Sequence, residues 1–256
     1  MIKFFRKIRY DLMEKNNTGK YLKYAIGEIV LVVIGILIAL QINNWNENRK
    51  TQNNQDKYLI LLKEEALKNI NSIKIAKETI ESTMITQRDL IKLIDSNHDT
   101  ISEKYISELF VKMFVFTTTL DYENSVFSEL KASGELKNIG NDSIRNSLVD
   151  LEPLIEGIKS HEKDVRLDYE SAGKIIDEKG NRRTILDENN LNKLLLFNKG
   201  IENTSNIPLL KNNEFKNHLI NYSGTCYGIV NRSYPSLESH LVTLVGMIDE
   251  ELENTK

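Results

Sequence analysis

The side chains able to bind a metal or attack a carbonyl are few and scattered. The four histidines, His98, His161, His218 and His240, stand far apart, with no His-Glu-x-x-His motif and no close His/Cys pair. His218, Cys226 and His240 could meet only across a helical hairpin. Cys226 is the single cysteine, so no intramolecular disulfide framework can form. It sits among Gly224, Thr225 and Gly228, a setting that reads as small-residue packing between helices rather than a thiol nucleophile. No Gly-x-Ser-x-Gly elbow, Walker-type phosphate loop or Gly-x-Gly-x-x-Gly turn occurs. No catalytic residue, metal ligand or cofactor-binding residue is assigned from these patterns.

Two groups of residues remain as candidates. Thr117, Thr118, Thr119 and Tyr122, followed by Ser133 beside Gly134, form the densest cluster of uncharged polar groups near helix ends. Hydroxyls and helix-terminal amides can line a pocket for a small ligand, although capping and turn formation use the same residues. The second group surrounds Glu28, a carboxylate at the start of the longest apolar run. Gly27, Leu31, Gly35 and Ala39 recur every four residues there, and Gly35-x-x-x-Ala39 is a spacing that lets two membrane helices approach closely. Glu28 lies next to this face, where it could pair with a partner helix. Alternatively, it snorkels toward Lys20, Lys23 and the lipid headgroups.

The element carrying Glu28 is a membrane span by length and composition. From Tyr24 to Ile42, nineteen residues are interrupted only by Glu28 and Gln41. As a helix they extend about 28 Å, close to the hydrocarbon thickness of a bilayer. A cleaved signal peptide is disfavoured by the long preceding segment and by the bulky neighbours of Ala39 where a small-x-small site would be needed. Residues 1–23 carry seven Lys and Arg against two acidic residues, a net +5, so the remainder carries −8 of the total −3. A basic head on an acidic body argues against nucleic-acid binding. It instead sets the N-terminus in the cytoplasm and the large domain across the membrane. Tyr24 and Trp45 mark the two ends, where interfacial aromatics are enriched. Ahead of the span, Phe5, Ile8 and Leu12 predict a short basic amphipathic helix on the inner leaflet.

These segments resemble a known family. "FFRKIR", then "YAIGEIVLVVIGILIALQINNWNE", then "ELKASGELKNIGNDSIRNSL" look like a bacterial family of membrane-anchored proteins catalogued as domain of unknown function 6090. The N-terminal fifty residues carry the likeness most closely. Ser133, Gly134, Leu136, Ile139 and Asn141 match the family's second block, and from about Lys163 onward only a helical character is shared. The resemblance implies a single-span protein of Gram-negative bacteria and transfers no activity, cofactor or catalytic residue.

Beyond the span the chain reads as helix after helix. Between Gly35 and Gly134 there is neither glycine nor proline. Leu59, Leu62, Ala66, Asn69, Ile73, Ala76, Ile80, Thr83, Gln87, Leu90 and Ile94 form a heptad-like seam, apolar at eight of its eleven positions. Ser102 predicts an N-cap, Gly134 a C-cap, and Asn141 or Asp142 the cap of a helix running past Pro153. "KGNRRTI" reads as an exposed turn, and Asp187 as the cap of a short "LNKLLLF" helix. "FVFTTTLDY" reads as a buried loop. The C-terminal pattern predicts two helices, or one bent at Pro235.

The expected fold is all-α: an N-terminal transmembrane helix followed by an extramembrane bundle of long antiparallel helices. The segments are a cytoplasmic basic helix and turn (1–19), a transmembrane signal-anchor (20–44), a polar helical stalk (45–57) and a periplasmic bundle (58–256). The expected partners are membrane lipids and, through the span, a second copy or another membrane protein. The functional expectation is a non-enzymatic protein-binding, scaffold or sensing module of the inner membrane. A membrane-tethered enzyme built from scattered carboxylates is the alternative.

Overall fold

With no proline before Pro153 and no glycine between Gly35 and Gly134, the sequence allows one uninterrupted helix, α1, over Thr18–Ile94. The structure is a computed structural model and describes residues 10, 18–114, 119–201 and 204–254. Thr117, Thr118 and nearly all of the expected amphipathic helix at 1–19 therefore lie outside the described residues. The remaining helices are α2 (Glu103–Phe114), α3 (Ser125–Ser133), α4 (Asp142–Lys179), α5 (Arg182–Glu188), α6 (Leu191–Leu194), α7 (Asn213–Gly228) and α8 (Tyr234–Asn254). No strand occurs among the described residues, and the chain is all-α. It divides into two compact units, residues 1–57 and 58–256.

The first unit contains one helix long and apolar enough to cross a membrane, and none of its most apolar window is buried. Ile29, Leu31, Ile34, Leu37 and Leu40 are all exposed, as is Trp45, over which the Arg49 guanidinium stacks at 5.2 Å.

In the second unit, the expected seam becomes the core. Ten of its eleven positions, Leu59 through Leu90, are buried, and only Ile94 is partly exposed. Lys63 pairs with Asp249, Gln87 meets Cys226 and Asp95 pairs with Lys216, so α1 runs antiparallel to the α7–α8 rod. The α4 helix is antiparallel to the same rod, since Lys179 pairs with Glu214 while Asn141 bonds Glu251. Phe110 of α2 packs edge-on against Phe215, and Phe114 meets Tyr169 at a tilt of 50°, joining α2 to α7 and α4.

Local sequence sets most of the helix ends. Ser102 Oγ accepts the Tyr105 amide, Asn141 accepts the amides of Ser143 and Ile144, and Gly134 closes α3 in the left-handed region at φ 74°. Two local expectations are corrected. Only Gly180 and Asn181 form the turn after α4, because Asn181 caps α5 through the Thr184 amide and buries Thr184 and Ile185. Asp187 lies buried inside α5 and accepts the Gly200 amide at 2.7 Å, while Asn190 precedes α6 at φ 56°.

The α7 and α8 helices are joined by a π-helical turn, Ile229–Ser233, immediately before Pro235. Proline offers no amide to the carbonyl four residues back, at Asn231, and its ring crowds that carbonyl. The wider turn accommodates the defect without breaking the rod. Pro153 is exposed on α4 and likewise leaves its helix unbroken.

Candidate functional site

Spacings of three and four residues bring one stripe of α4 to face α1 and α7. Glu162, Val165, Arg166, Tyr169 and Glu170 come from α4, Tyr222 and Cys226 from α7, and Ile80 and Thr83 from α1. With Thr119 they enclose a cavity of about 150 Å³. On a share of about 30 Å³ per water, that is room for roughly five waters or one small organic molecule.

Its walls are fixed by specific bonds. Glu162 Oε1 accepts the Leu120 amide at 2.6 Å and the Tyr234 hydroxyl at 3.0 Å, tying the loop before α3 to α4 and α8. Tyr169 donates its hydroxyl to the Phe114 carbonyl at 2.7 Å. Its ring stands edge-to-face with Tyr222 at 6.0 Å. Arg166 pairs with Glu170 at 2.9 Å on the exposed side. Behind Cys226, Gln87 is fully buried, donating to Sγ at 3.7 Å, and its Oε1 has no hydrogen-bond partner among the described residues.

The thiol is chemically quiet. Burial pushes Cys226 up to about 11, outweighing the hydrogen bonds with Gln87 and Tyr222 that favour the thiolate. It is therefore a neutral thiol at physiological pH, not an activated nucleophile. Burial also raises Tyr222 and Tyr234, the latter with the added repulsion of Glu162.

Two other histidines meet serines: His161 Nδ1 lies 2.5 Å from Ser233 Oγ at an exposed position, and His240 reaches Ser147. His240 Nε2 lies 2.9 Å from Ser147 Oγ, but also 2.8 Å from the Ser147 carbonyl oxygen. A carbonyl has no proton to give, so Nε2 carries the hydrogen and donates it. It cannot then take the proton of the hydroxyl. Cys226 instead contacts Gln87 and Tyr222, so the structure does not join it to His240. No group of three metal-ligating side chains occurs among the described residues.

The residues singled out in the sequence fall in different places. Thr119 lines the cavity. Tyr122 is half-buried nearby, packed on the core, and is raised by burial and by Glu65. Ser133 is exposed at the end of α3, where its hydroxyl donates to the Leu130 carbonyl and accepts the Glu135 amide. In the first unit, Gly27, Leu31, Gly35 and Ala39 lie exposed on α1 and Glu28 is half-buried. A side chain at Gly27 or Gly35 would meet nothing within 4 Å. The cavity's main residues, Glu162, Tyr169 and Tyr222, were not legible locally; Thr83 and Gln87, polar positions in an apolar seam, were the one sequence signal pointing to them.

Residues 28–154 match the sequence profile of a family of unknown function, DUF6090. The segment begins at Glu28 and includes the apolar part of α1, the seam, α2, α3 and the first third of α4. Thr83, Gln87 and Thr119 fall within it, whereas the cavity residues from Glu162 onward lie outside it. No curated protein and no solved structure matches the chain.

Proposed function

We propose that this chain is a single-span inner-membrane protein whose helical bundle acts as a non-enzymatic binding module, working through a partner held at the span. The observation that carries this reading is the apolar stretch of α1 with none of its most apolar window buried. A run of that length left in water would expose a continuous hydrophobic surface far beyond what a soluble domain carries. Lipid is the environment that suits it.

The excess of Lys and Arg before the span supports a cytoplasmic N-terminus and a periplasmic bundle. The face of Gly27, Gly35 and Ala39 supports close approach of a second helix, from another copy or another membrane protein. Crosslinking and pull-down of the intact protein from membranes tests this. The expected result is a discrete crosslinked species that Gly35→Ile weakens or abolishes. Unaltered oligomers and co-purifying partners in that variant would remove the helix-interface part. Reporter enzymes fused at the C-terminus test orientation, and activity confined to the cytoplasm would refute it.

The alternative, a membrane-tethered enzyme, would place its chemistry among the carboxylates of the cavity. The protonated thiol and the donor role of His240 Nε2 favour the binding reading.

A further inference from the structure

We propose that the cavity between α1, α4 and α7 is a binding site for a small organic ammonium cation. The proposal deepens the binding-module reading by naming a ligand class for the bundle.

Charge gives the first argument. Three charged side chains line the cavity, two carboxylates and one guanidinium. Arg166 is matched by Glu170 at 2.9 Å, which leaves Glu162 in excess. Both donors to Glu162, the Leu120 amide and the Tyr234 hydroxyl, are neutral, and no ion pair involves Glu162 among the described residues. Its negative charge is thus held in place by hydrogen bonds and left without a cation.

Shape and surface give the second. Tyr169 and Tyr222 form part of the wall, one anchored through its hydroxyl and the other buried. Tyrosine rings attract a cation over their faces, the more strongly when water is excluded. Ile80, Val165 and Cys226 add apolar surface for the hydrocarbon part. The volume of about 150 Å³ suits a molecule of a few heavy atoms.

Competing occupants fit less well. An anion would meet a net negative wall. A bare metal ion lacks a set of three converging ligands among the described residues. A neutral apolar molecule would strip water from Glu162 without compensation.

The test uses the full chain in lipid nanodiscs, titrated at constant ionic strength with tetramethylammonium chloride. Pivalate and neopentyl alcohol, of similar shape but negative and neutral, serve as controls. Saturable binding of tetramethylammonium is expected, perturbing the ring signals of Tyr169 and Tyr222, with neither control binding comparably. Glu162→Gln keeps the accepting oxygen and removes the charge, and should weaken binding roughly tenfold, the weight of one partly buried charge contact. Arg166→Gln, at an exposed position, should tighten it a few-fold. Absence of saturable binding, equal affinity for pivalate, or indifference to both substitutions would overturn the proposal. Those failures would leave the crosslinking result at the span untouched, so the two readings fall separately.

Discussion

At the scale of single residues, burial removes Cys226 from the chemistry that a lone thiol usually offers. Its ordinary value of 9.0 rises to about 11 in the fold, so the folded state holds the proton more tightly than the unfolded chain. The stability this contributes is fully present below pH 9 and is lost as pH rises from 9 toward 11. Urea unfolding at pH 8, 9.5 and 11 should show that decline, and Cys226→Ala should decline less over the same interval. A maleimide should leave the native thiol unmodified and label it in denaturant. A second residue-scale prediction concerns Glu65, which is buried on α1. Its carboxylate accepts the Ser125 hydroxyl and the amides of Val126 and Phe127, capping from another helix the amides at the start of α3 that have no partner within it. Glu65→Ala should cost about 2 kcal/mol in denaturant unfolding, the weight of charge-assisted bonds to buried amides.

At the scale of elements, the boundary signals act through backbone geometry and sterics. Gly134 occupies φ 74°, where any side chain is strained, so Gly134→Ala should cost about 1 kcal/mol in thermal unfolding. Gly180 has an ordinary backbone, but an added Cβ would stand 2.7 Å from Asn206 Oδ1 and 2.8 Å from a Leu209 methyl. Gly180→Ala must disturb a buried network in which Asn206 bonds both Asn181 and Glu103. A loss of more than 1 kcal/mol is expected, on the order of an overpacked core site. The caps at Ser102, Gly134 and Asn141 were legible because their partners lie within a few residues. The start of α6 was misread because Asp187 finds its partner thirteen residues away, at Gly200, across a loop that local pattern does not describe. The carboxylates of Glu65, Glu103 and Glu162 bond groups 42 to 103 residues distant, a separation no periodicity encodes.

At the scale of the whole molecule, what was legible is what repeats along one helix. The seam from Leu59 to Leu90 declared the face that packs, and the apolar run before Ile42 declared a surface that does not. Which faces of α4 and α7 meet α1 was not legible, because each long helix has several apolar stripes and their pairing is decided jointly. The cavity follows from that pairing, so of the residues grouped in sequence as a candidate pocket, Thr119 is the one described residue that lines it. The central claim is that α1 crosses a bilayer with the bundle on the far side, and the buried thiol makes it directly measurable. Because Cys226 is shielded, a cysteine introduced at exposed Ser160 reports alone. Intact cells with a permeabilised outer membrane are treated with a membrane-impermeant maleimide. The account predicts that Ser160→Cys is labelled without lysis while the parent protein is not. Labelling that appears only after the inner membrane is broken would contradict it.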